Sequence, residues 1–242
     1  MTDRVNYVVA CWGGRTQAIE YIETQIELLN KLENNVAQVT LVSPPYEHKF
    51  PANTRFEKAL KDLDGTKLDN GAPIVVLRRT TNDNISYGSW SDAYGKYHQK
   101  FDYYIFMEDD YIPACPKFDD ILVELIKEKE CHYLCALISG TTCGKAGIMH
   151  AGVTVGICES AAMEKIWQKY GSLLSDDFAD RHWWNQMNFS YPYHYCGLKI
   201  DHFAHKYGVP FWYGARSQLM HLIQGDQLLL MPIQHKAAVK YE

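Results

Sequence analysis

The sequence YYIFMEDDYIP, from Tyr103 to Pro113, is the stretch that decides the predicted fold. Its apolar part is too short for a helix and is rich in aromatic and branched residues, which predicts a fully buried β-strand. The strand runs directly into three carboxylates, Glu108, Asp109 and Asp110. Because like charges at the tip of a buried strand repel one another, this acidic cluster favours a bound cation.

The cation that the acidic cluster favours is Mn²⁺ or Mg²⁺, since both are hard ions that take oxygen ligands. A site with one or two carboxylates usually completes the metal shell with substrate phosphates, and open α/β sheets bind ligands at the carboxyl ends of their strands. We therefore expect Glu108 and Asp110 to hold a divalent cation that bridges two phosphates of a nucleotide. The alternative is a strand that simply ends in a solvated acidic loop.

Composition and charge place the chain among ordinary globular proteins. Of its 242 residues, 47% are apolar and 22% are charged, and the net charge is −5. An acidic balance argues against nucleic acid as the main partner, because phosphate binding favours a basic face. The seven cysteines lack paired spacing, which is typical of reduced thiols in a cytoplasmic protein.

The N-terminal segment and the hydropathy pattern predict the location of the protein. MTDRVNYVVACWGG does not have the pattern of a signal peptide, and no apolar run approaches the roughly 18 residues of a transmembrane helix. We expect no transmembrane segment and a cytoplasmic location, which is compatible with peripheral association with a membrane.

The first half of the chain alternates strand-like and helix-like segments, which predicts a mostly parallel sheet covered by helices on both faces. Apolar residues recur at helical spacing from Ile19 to Leu29, with Thr16 as the expected N-cap. The other predicted helices cover Phe56–Leu63, Phe118–Ile126 and Ser160–Tyr170, and the predicted strands are Asn6–Trp12, Val39–Val42, Ile74–Leu77, Ile105–Met107, Tyr133–Ile138 and Val153–Ile157.

The second half differs in composition from the first. Between Arg181 and Tyr213, 11 of 33 residues are Phe, Tyr or Trp, whereas aromatic residues make up 13% of the chain. No linker separates two independent units. We therefore expect a single domain over residues 1–242, with a nucleotide-binding half at 1–115 and an acceptor-binding half at 116–242.

Two further segments contain residues suited to binding a nucleotide. NDNISYGSWSDAYGKY, from Asn82 to Tyr97, predicts a loop and a helix N-terminus whose backbone N–H groups face phosphate or sugar. The alternative is that Gly88 makes a turn and Trp90 belongs to the core. In CWGGRTQ, from Cys11 onward, glycines let the backbone approach a nucleotide, and an arginine neutralises phosphate or lies flat on a base.

These segments, in this order, resemble glycosyltransferases of the GT-A fold, a nucleotide-diphospho-sugar transferase family. The resemblance covers residues 5–115 well and the rest loosely. Its most specific element is FMEDD, which matches an apolar strand followed by Asp-x-Asp, with Glu108 in the first acidic place. The resemblance implies a UDP-sugar donor, an Mn²⁺ or Mg²⁺ cofactor and a glycan or other hydroxyl acceptor. By position it also implies nucleotide-sugar contacts at Cys11, Trp12, Arg15, Asp83, Gly88, Trp90 and Asp109.

GT-A enzymes that invert the anomeric centre resemble one another in using an Asp or Glu base in the second half, which takes the proton of the acceptor hydroxyl. The best candidates in this chain are Asp176 and Asp177, at the start of a predicted helix, and inversion is slightly favoured. The same two residues also suit a helix N-cap and first turn. Some members of the family add a C-terminal His to the metal shell, and His221 matches by location.

Aromatic side chains in the second half are expected to stack on sugar rings, although aromatic residues also build cores. The expected acceptor contacts are Trp183, Trp184 and Trp212. Two alternatives to a glycosyltransferase remain open at this stage. One is a sugar-phosphate nucleotidyltransferase, although the longer glycine run and the downstream Pro and Lys of that class are missing. The other is a non-catalytic sugar-binding module on the same fold.

Overall fold

The computed structural model describes residues 3–15, 17–45, 54–140, 149–177, 185–203, 206–207, 222–224 and 227–232. Its helices are α1 (Ala18–Lys31), α2 (Thr54–Leu63), α3 (Ile85–Lys96), α4 (Phe118–Glu128), α5 (Ser160–Tyr170) and α6 (Asn185–Tyr195). Its strands are β1 (Val5–Ala10), β2 (Val36–Ser43), β3 (Ile74–Arg78), β4 (Tyr103–Glu108), β5 (Tyr111–Pro113), β6 (Tyr133–Gly140), β7 (Met149–Glu159), β8 (Ile200–His202), β9 (Lys206–Tyr207), β10 (Leu222–Gln224) and β11 (Gln227–Pro232).

A seven-stranded sheet forms the centre of the molecule, in the order β3-β2-β1-β4-β7-β6-β8. The first four of these strands are parallel, because helices α1, α2 and α3 connect β1 to β2, β2 to β3 and β3 to β4. Strand β7 runs antiparallel to both of its neighbours, and β8 is parallel to β6. The predicted mixed α/β class with a mostly parallel central sheet is confirmed.

A second, four-stranded sheet was not expected from the sequence. Its order is β5-β11-β10-β9, and all of its pairs are antiparallel. Strand β5 begins immediately after the acidic cluster, so the chain leaves the central sheet at Glu108 and enters the second sheet at Tyr111. The three carboxylates therefore lie at the junction of the two sheets.

The two faces of the central sheet carry separate hydrophobic clusters. Helices α1, α2 and α4 cover one face, and α3, α5 and α6 cover the other. Along β4 the side chains alternate as a strand requires, with Ile105 and Met107 on the first face and Tyr104 and Phe106 on the second. This alternation continues at the strand end, so Glu108 extends toward the α3 face.

Element ends differ slightly from the predicted ones. Strand β1 ends at Ala10 rather than Trp12, although the Cys11 amide still donates to Val42 O at 2.8 Å. Thr16, the expected N-cap of α1, lies outside the described residues, and Gln17 holds the N-cap position without a side-chain capping bond.

The described part of the aromatic segment forms core rather than surface. Helix α6 buries Phe189, Tyr191 and Tyr193, and the ring of Phe189 lies 5.5 Å from Tyr133 and 5.6 Å from Trp90. The six described cysteines are free thiols, and five of them are buried. Among the described residues, no helix is both long and apolar enough to cross a membrane.

Candidate functional site

The ends of two neighbouring strands bring the predicted nucleotide segments together. Strands β1 and β4 pair in parallel with Ala10 opposite Glu108, so the loop after β1 and the acidic cluster after β4 leave the sheet side by side. This is the carboxyl edge of the parallel strands, where open α/β sheets bind ligands. Cys11, Trp12 and Arg15, which were expected to contact the nucleotide, therefore lie beside the carboxylates.

Asp109 is the most buried member of the acidic cluster, with 2% of its surface exposed. Its carboxylate accepts a hydrogen bond from the Trp12 amide at 2.9 Å and lies 3.3 Å from the Arg15 guanidinium. Burial raises the pKa of Asp109 to about 6, because the effects of Arg15 and of the Trp12 amide offset only part of the desolvation. Asp109 therefore fixes the loop after β1 rather than facing solvent.

Arg15 is the cation that faces this cluster. Its Nη1 donates to Asp110 Oδ2 at 3.0 Å, and the guanidinium carbon lies 5.7 Å from the Trp12 ring centroid and 5.8 Å from that of Tyr21. A guanidinium between two rings and two carboxylates is held in a defined orientation. The other oxygen of Asp110, Oδ1, is buried and has no hydrogen-bond partner among the described residues. That oxygen has acceptor capacity left for a ligand.

Glu108 lies between the acidic cluster and helix α3. Its Oε1 accepts a hydrogen bond from the Ser86 hydroxyl at 3.0 Å. Burial, and then the negative charge of Asp110, raise the pKa of Glu108 to about 7, while the Ser86 hydrogen bond acts in the opposite direction. When a cation or a hydrogen-bond donor approaches such a carboxylate, it stabilises the ionised form.

Gln25 of α1, which sequence reasoning missed, holds the backbone of the acidic cluster. Its side-chain amide donates to the carbonyl oxygens of Asp109, at 3.4 Å, and of Tyr111. Its own carbonyl accepts from the Tyr7 hydroxyl at 2.8 Å. Gln25 has no exposed surface. In the sequence it is a polar residue between the apolar positions Ile22 and Leu29 of α1, a pattern that does not single it out.

A cavity of about 460 Å³ opens at this edge of the sheet. The sequence predicted part of this lining, namely Glu108, Asp109 and the loop after β1. It missed the residues that α3 and the β2 end contribute, although two serines at i and i+3 share one face of a helix. Among the described residues, those that line it are Ala10, Cys11, Trp12, Arg15, Pro44, Asn82, Ile85, Ser86, Ser89, Glu108 and Asp109.

Three predicted nucleotide contacts, Trp90, Gly88 and Asp83, do not line the cavity. Trp90 has no exposed surface, stacks on Phe106 and donates to Met107 O at 3.2 Å, so it supports the cavity from the core and does not line it. Gly88 is buried within α3. Asp83 is exposed, and its backbone carbonyl, rather than its carboxylate, is engaged by a protein side chain. For Trp90, the structure shows the core position that the sequence analysis left open as the alternative.

The candidate bases Asp176 and Asp177 are exposed residues that follow the buried Ser175. The predicted helix does not begin at Asp176, because residues 171–177 form an irregular loop. This loop is fixed by hydrogen bonds from Ser175 N to Asn188 O at 2.8 Å and from Leu173 N to the Ser91 hydroxyl at 3.1 Å. Ser91 lies on α3, two residues beyond the cavity-lining Ser89.

The remaining predicted site residues, Trp183, Trp184, Trp212 and His221, lie outside the described residues. Within the part of the chain that the structure describes, no group of three or more His, Cys, Asp or Glu side chains is arranged to hold a metal ion. The donors available for a cation at the acidic cluster are the carboxylates of Glu108 and Asp110, with Oδ1 of Asp110 unpartnered.

The topology and the position of the acidic cluster define a GT-A-like α/β fold. Among solved structures, the chain is similar to S. aureus TarS, with a TM-score of 0.51 and 11% sequence identity. The match covers 84% of this chain and 35% of TarS, so the chain spans about a third of the length of that protein. No protein-family model and no curated protein sequence matches the chain. Similarity at this level of identity shows the fold.

Proposed function

We propose that the protein is a glycosyltransferase that moves a sugar from a nucleotide diphosphate, UDP in the first instance, to a hydroxyl of a glycan or other acceptor. The observation that carries this proposal is the convergence of Arg15, Glu108 and Asp109 at one cavity on the carboxyl edge of a GT-A-like sheet, with Asp110 paired to Arg15 at 3.0 Å beside it. TarS, the structural neighbour, is a glycosyltransferase, which supports the same class.

The cavity chemistry suits a nucleotide diphosphate. Arg15 supplies a planar cation for phosphate or base, and Trp12 supplies an aromatic surface beside it. A diphosphate next to three carboxylates requires a further positive charge, and the proposed source is Mn²⁺ or Mg²⁺ held by Glu108 and Asp110. The unpartnered Oδ1 of Asp110 fits this role, and phosphate oxygens of the donor would complete the set. When bound, the ion would stabilise the leaving diphosphate as a Lewis acid.

The acceptor side of the proposal rests on the second half of the chain. Asp176 or Asp177 would remove the proton of the acceptor hydroxyl, which favours inversion of the anomeric centre. Both carboxylates are exposed, and their loop is anchored to α3, the helix that also lines the cavity. Trp183, Trp184 and Trp212 remain the proposed acceptor contacts, and His221 a proposed additional metal ligand.

A thermal-shift panel tests the proposal. Nucleoside diphosphates and UDP-sugars are added to the protein with Mn²⁺ or with a chelator, and transfer or donor hydrolysis is then measured for the ligands that stabilise it. We expect UDP and at least one UDP-sugar to raise the melting temperature only when Mn²⁺ is present. The proposal is wrong if no nucleoside diphosphate stabilises the protein. Pyrophosphate release from a nucleoside triphosphate would identify a nucleotidyltransferase instead, and donor binding without any turnover would identify a binding module.

A further inference from the structure

Arg79, which follows β3, has a nearly buried side chain that binds the N-terminal end of α3 at several points. Only 5% of the side chain is exposed. Its Nε donates to Asp92 Oδ2 at 2.6 Å, its Nη2 to Asp83 O at 3.0 Å and its Nη1 to Ile85 O at 3.3 Å. Its own backbone amide donates to Ser43 O at 3.0 Å, so the same residue is tied to the edge of the central sheet.

The turn that Arg79 binds has an unfavourable backbone conformation. Asn84 has φ of 58° and Ile85 has φ of 44°. Asn tolerates the left-handed region, but a β-branched residue such as Ile is rare there, and such positions persist only when the surroundings hold them. Two of the three groups that Arg79 contacts are backbone carbonyls of this turn, Asp83 O and Ile85 O. The guanidinium therefore stabilises a turn that its own sequence disfavours.

Gly88 shows how closely the guanidinium packs on α3. A Cβ at this position would lie 2.5 Å from Arg79 Nη2 and 2.3 Å from Asp83 O. Any larger residue would displace the turn, the guanidinium or both. Glycine costs about 1 kcal/mol relative to alanine inside a helix, so its presence here is explained by the close approach of Arg79.

The 82–85 turn also forms part of the cavity lining. Asn82, Ile85 and Ser86 all line the cavity, and the Ser86 hydroxyl donates to Glu108, which also lines it. A continuous set of contacts therefore runs from the end of β3, through Arg79 and the start of α3, to the acidic tip of β4. Arg79 does not line the cavity itself.

We propose that Arg79 is a positioning residue for the nucleotide: it holds the 82–85 turn so that Asn82 and Ser86 meet the donor in register with Glu108. This inference rests on the proposed function for the identity of the ligand, whereas the holding of the turn is independent of it. Lysine cannot replace Arg79, because an ammonium group lacks the planar fork that reaches a carboxylate and two carbonyls together.

The test compares Arg79→Lys with Arg78→Lys by UDP calorimetry in Mn²⁺ and by amide hydrogen exchange. Arg78 is the matched control, because it is the preceding residue and its side chain pairs with Glu57 of α2 at 2.8 Å, away from α3. We expect Arg79→Lys to weaken UDP binding by roughly ten- to a hundredfold and to speed exchange in residues 82–90, since small misplacements of binding groups have effects of this size. Arg78→Lys should change neither quantity.

Two further variants keep the inference testable if Arg79→Lys folds poorly. Asp92→Asn removes only the half-exposed carboxylate partner of Arg79. It should also weaken UDP binding and speed exchange in residues 82–90, but by less than Arg79→Lys does. Gly88→Ala should also weaken UDP binding, although alanine is the better helix former. A purely structural role would lower the melting temperature without changing the UDP affinity that is measured well below that temperature, where the variant is folded.

The outcomes separate this inference from the proposed function. If folded Arg79→Lys binds UDP as tightly as the wild type, or if exchange in residues 82–90 is unchanged, the inference is overturned. If the wild type itself fails to bind UDP, the proposed donor is wrong. The exchange data then decide alone whether Arg79 holds the turn, because that measurement needs no ligand.

Discussion

The acidic tip of β4 and the aromatic helix α6 both concentrate unusual residues, but the two regions bury them for different reasons. At the tip, Asp109 is buried although it is charged, and it is matched by the Trp12 amide and the Arg15 guanidinium. Along α6, Phe189 and Tyr193 are buried because they are apolar or largely so, and they pack on the sheet. Buried charge requires specific partners, whereas buried aromatic surface requires only close packing.

This difference bears on how strongly each region indicates function. Apolar burial is favourable without any ligand, so the aromatic density of α6 needs no explanation beyond the core. Among the described residues, one arginine faces the three clustered carboxylates, and Oδ1 of Asp110 is buried without a hydrogen-bond partner. This arrangement is not favourable for folding alone. The following predictions separate a binding region at the tip from a structural region around α6.

The largest effect is expected from the loop that precedes α6, if that part of the second half also contributes chemistry. Replacing the true base among Asp176 and Asp177 with Asn should lower kcat roughly 10²–10⁴-fold, the usual contribution of a general base. UDP affinity and melting temperature should change little, because both side chains are exposed. Close to wild-type transfer rates in both single variants would show that the base lies elsewhere, or that the enzyme retains configuration.

The second prediction concerns the aromatic core itself. Phe189→Ala should lower the free energy of unfolding by about 3–5 kcal/mol, because it removes a fully buried ring from a close-packed cluster. Urea denaturation measures this loss. Tyr195→Ala, at the partly exposed end of the same helix, is the matched control and should cost clearly less. Equal losses in the two variants would contradict the assignment of α6 to the core.

The sequence predicted those features of the fold that depend on local periodicity. The alternation of strands and helices, the buried strand β4 and helix α5 could be recognised because apolar spacing is a property of neighbouring residues. The second sheet could not, because β5 and β10 have three residues each and acquire their partners from distant parts of the chain. Short strands of this kind carry no periodic signal.

The candidate site also contains residues that the sequence could indicate and residues that only the folded structure shows. Glu108, Asp109 and Asp110 were recognisable because a charged group after a buried strand conflicts with its surroundings. Trp90 was expected to contact the nucleotide because it belongs to the 82–97 segment, with a place in the core as the alternative, and only the packing shows it in the core. Gln25 and Arg79 could not be singled out, because their roles come from hydrogen bonds to backbone carbonyls that lie near them only in the folded chain.

The third prediction tests the charge of the acidic tip. Asp110→Asn keeps the shape of the side chain and removes one negative charge, so UDP binding in Mn²⁺ should weaken by at least about tenfold while the fold survives. Asp120→Asn, on helix α4, is the matched control, since Asp120 accepts a hydrogen bond from the exposed Asn35 side-chain amide at 2.8 Å and does not line the cavity. Calorimetry with Mn²⁺ and with chelator gives the comparison. Equal UDP affinities in all of these conditions would contradict a metal role for the tip.

The smallest expected effect is a pH dependence of stability that originates at the tip. The pKa of Glu108 in the folded protein is raised from 4.5 to about 7, so the folded state binds this proton more tightly than the unfolded state does. The stabilisation from protonated Glu108 is complete below about pH 4.5, falls as the pH rises, and is lost above about pH 7. Glu108→Gln stays neutral and escapes this loss.

Relative to the wild type, Glu108→Gln should therefore gain about 1–2 kcal/mol of unfolding free energy between pH 5 and pH 8. Urea denaturation at the two pH values, in the presence of chelator, measures the gain. Asp109, whose pKa is raised to about 6, is present in both proteins. Its pH-dependent contribution to the free energy of unfolding therefore cancels in the difference between them. A difference between variant and wild type that does not change with pH would mean that Glu108 is already ionised and adequately neutralised by Arg15 and Ser86. The tip would then resemble α6, a region whose aromatic rings pack into the core without any ligand.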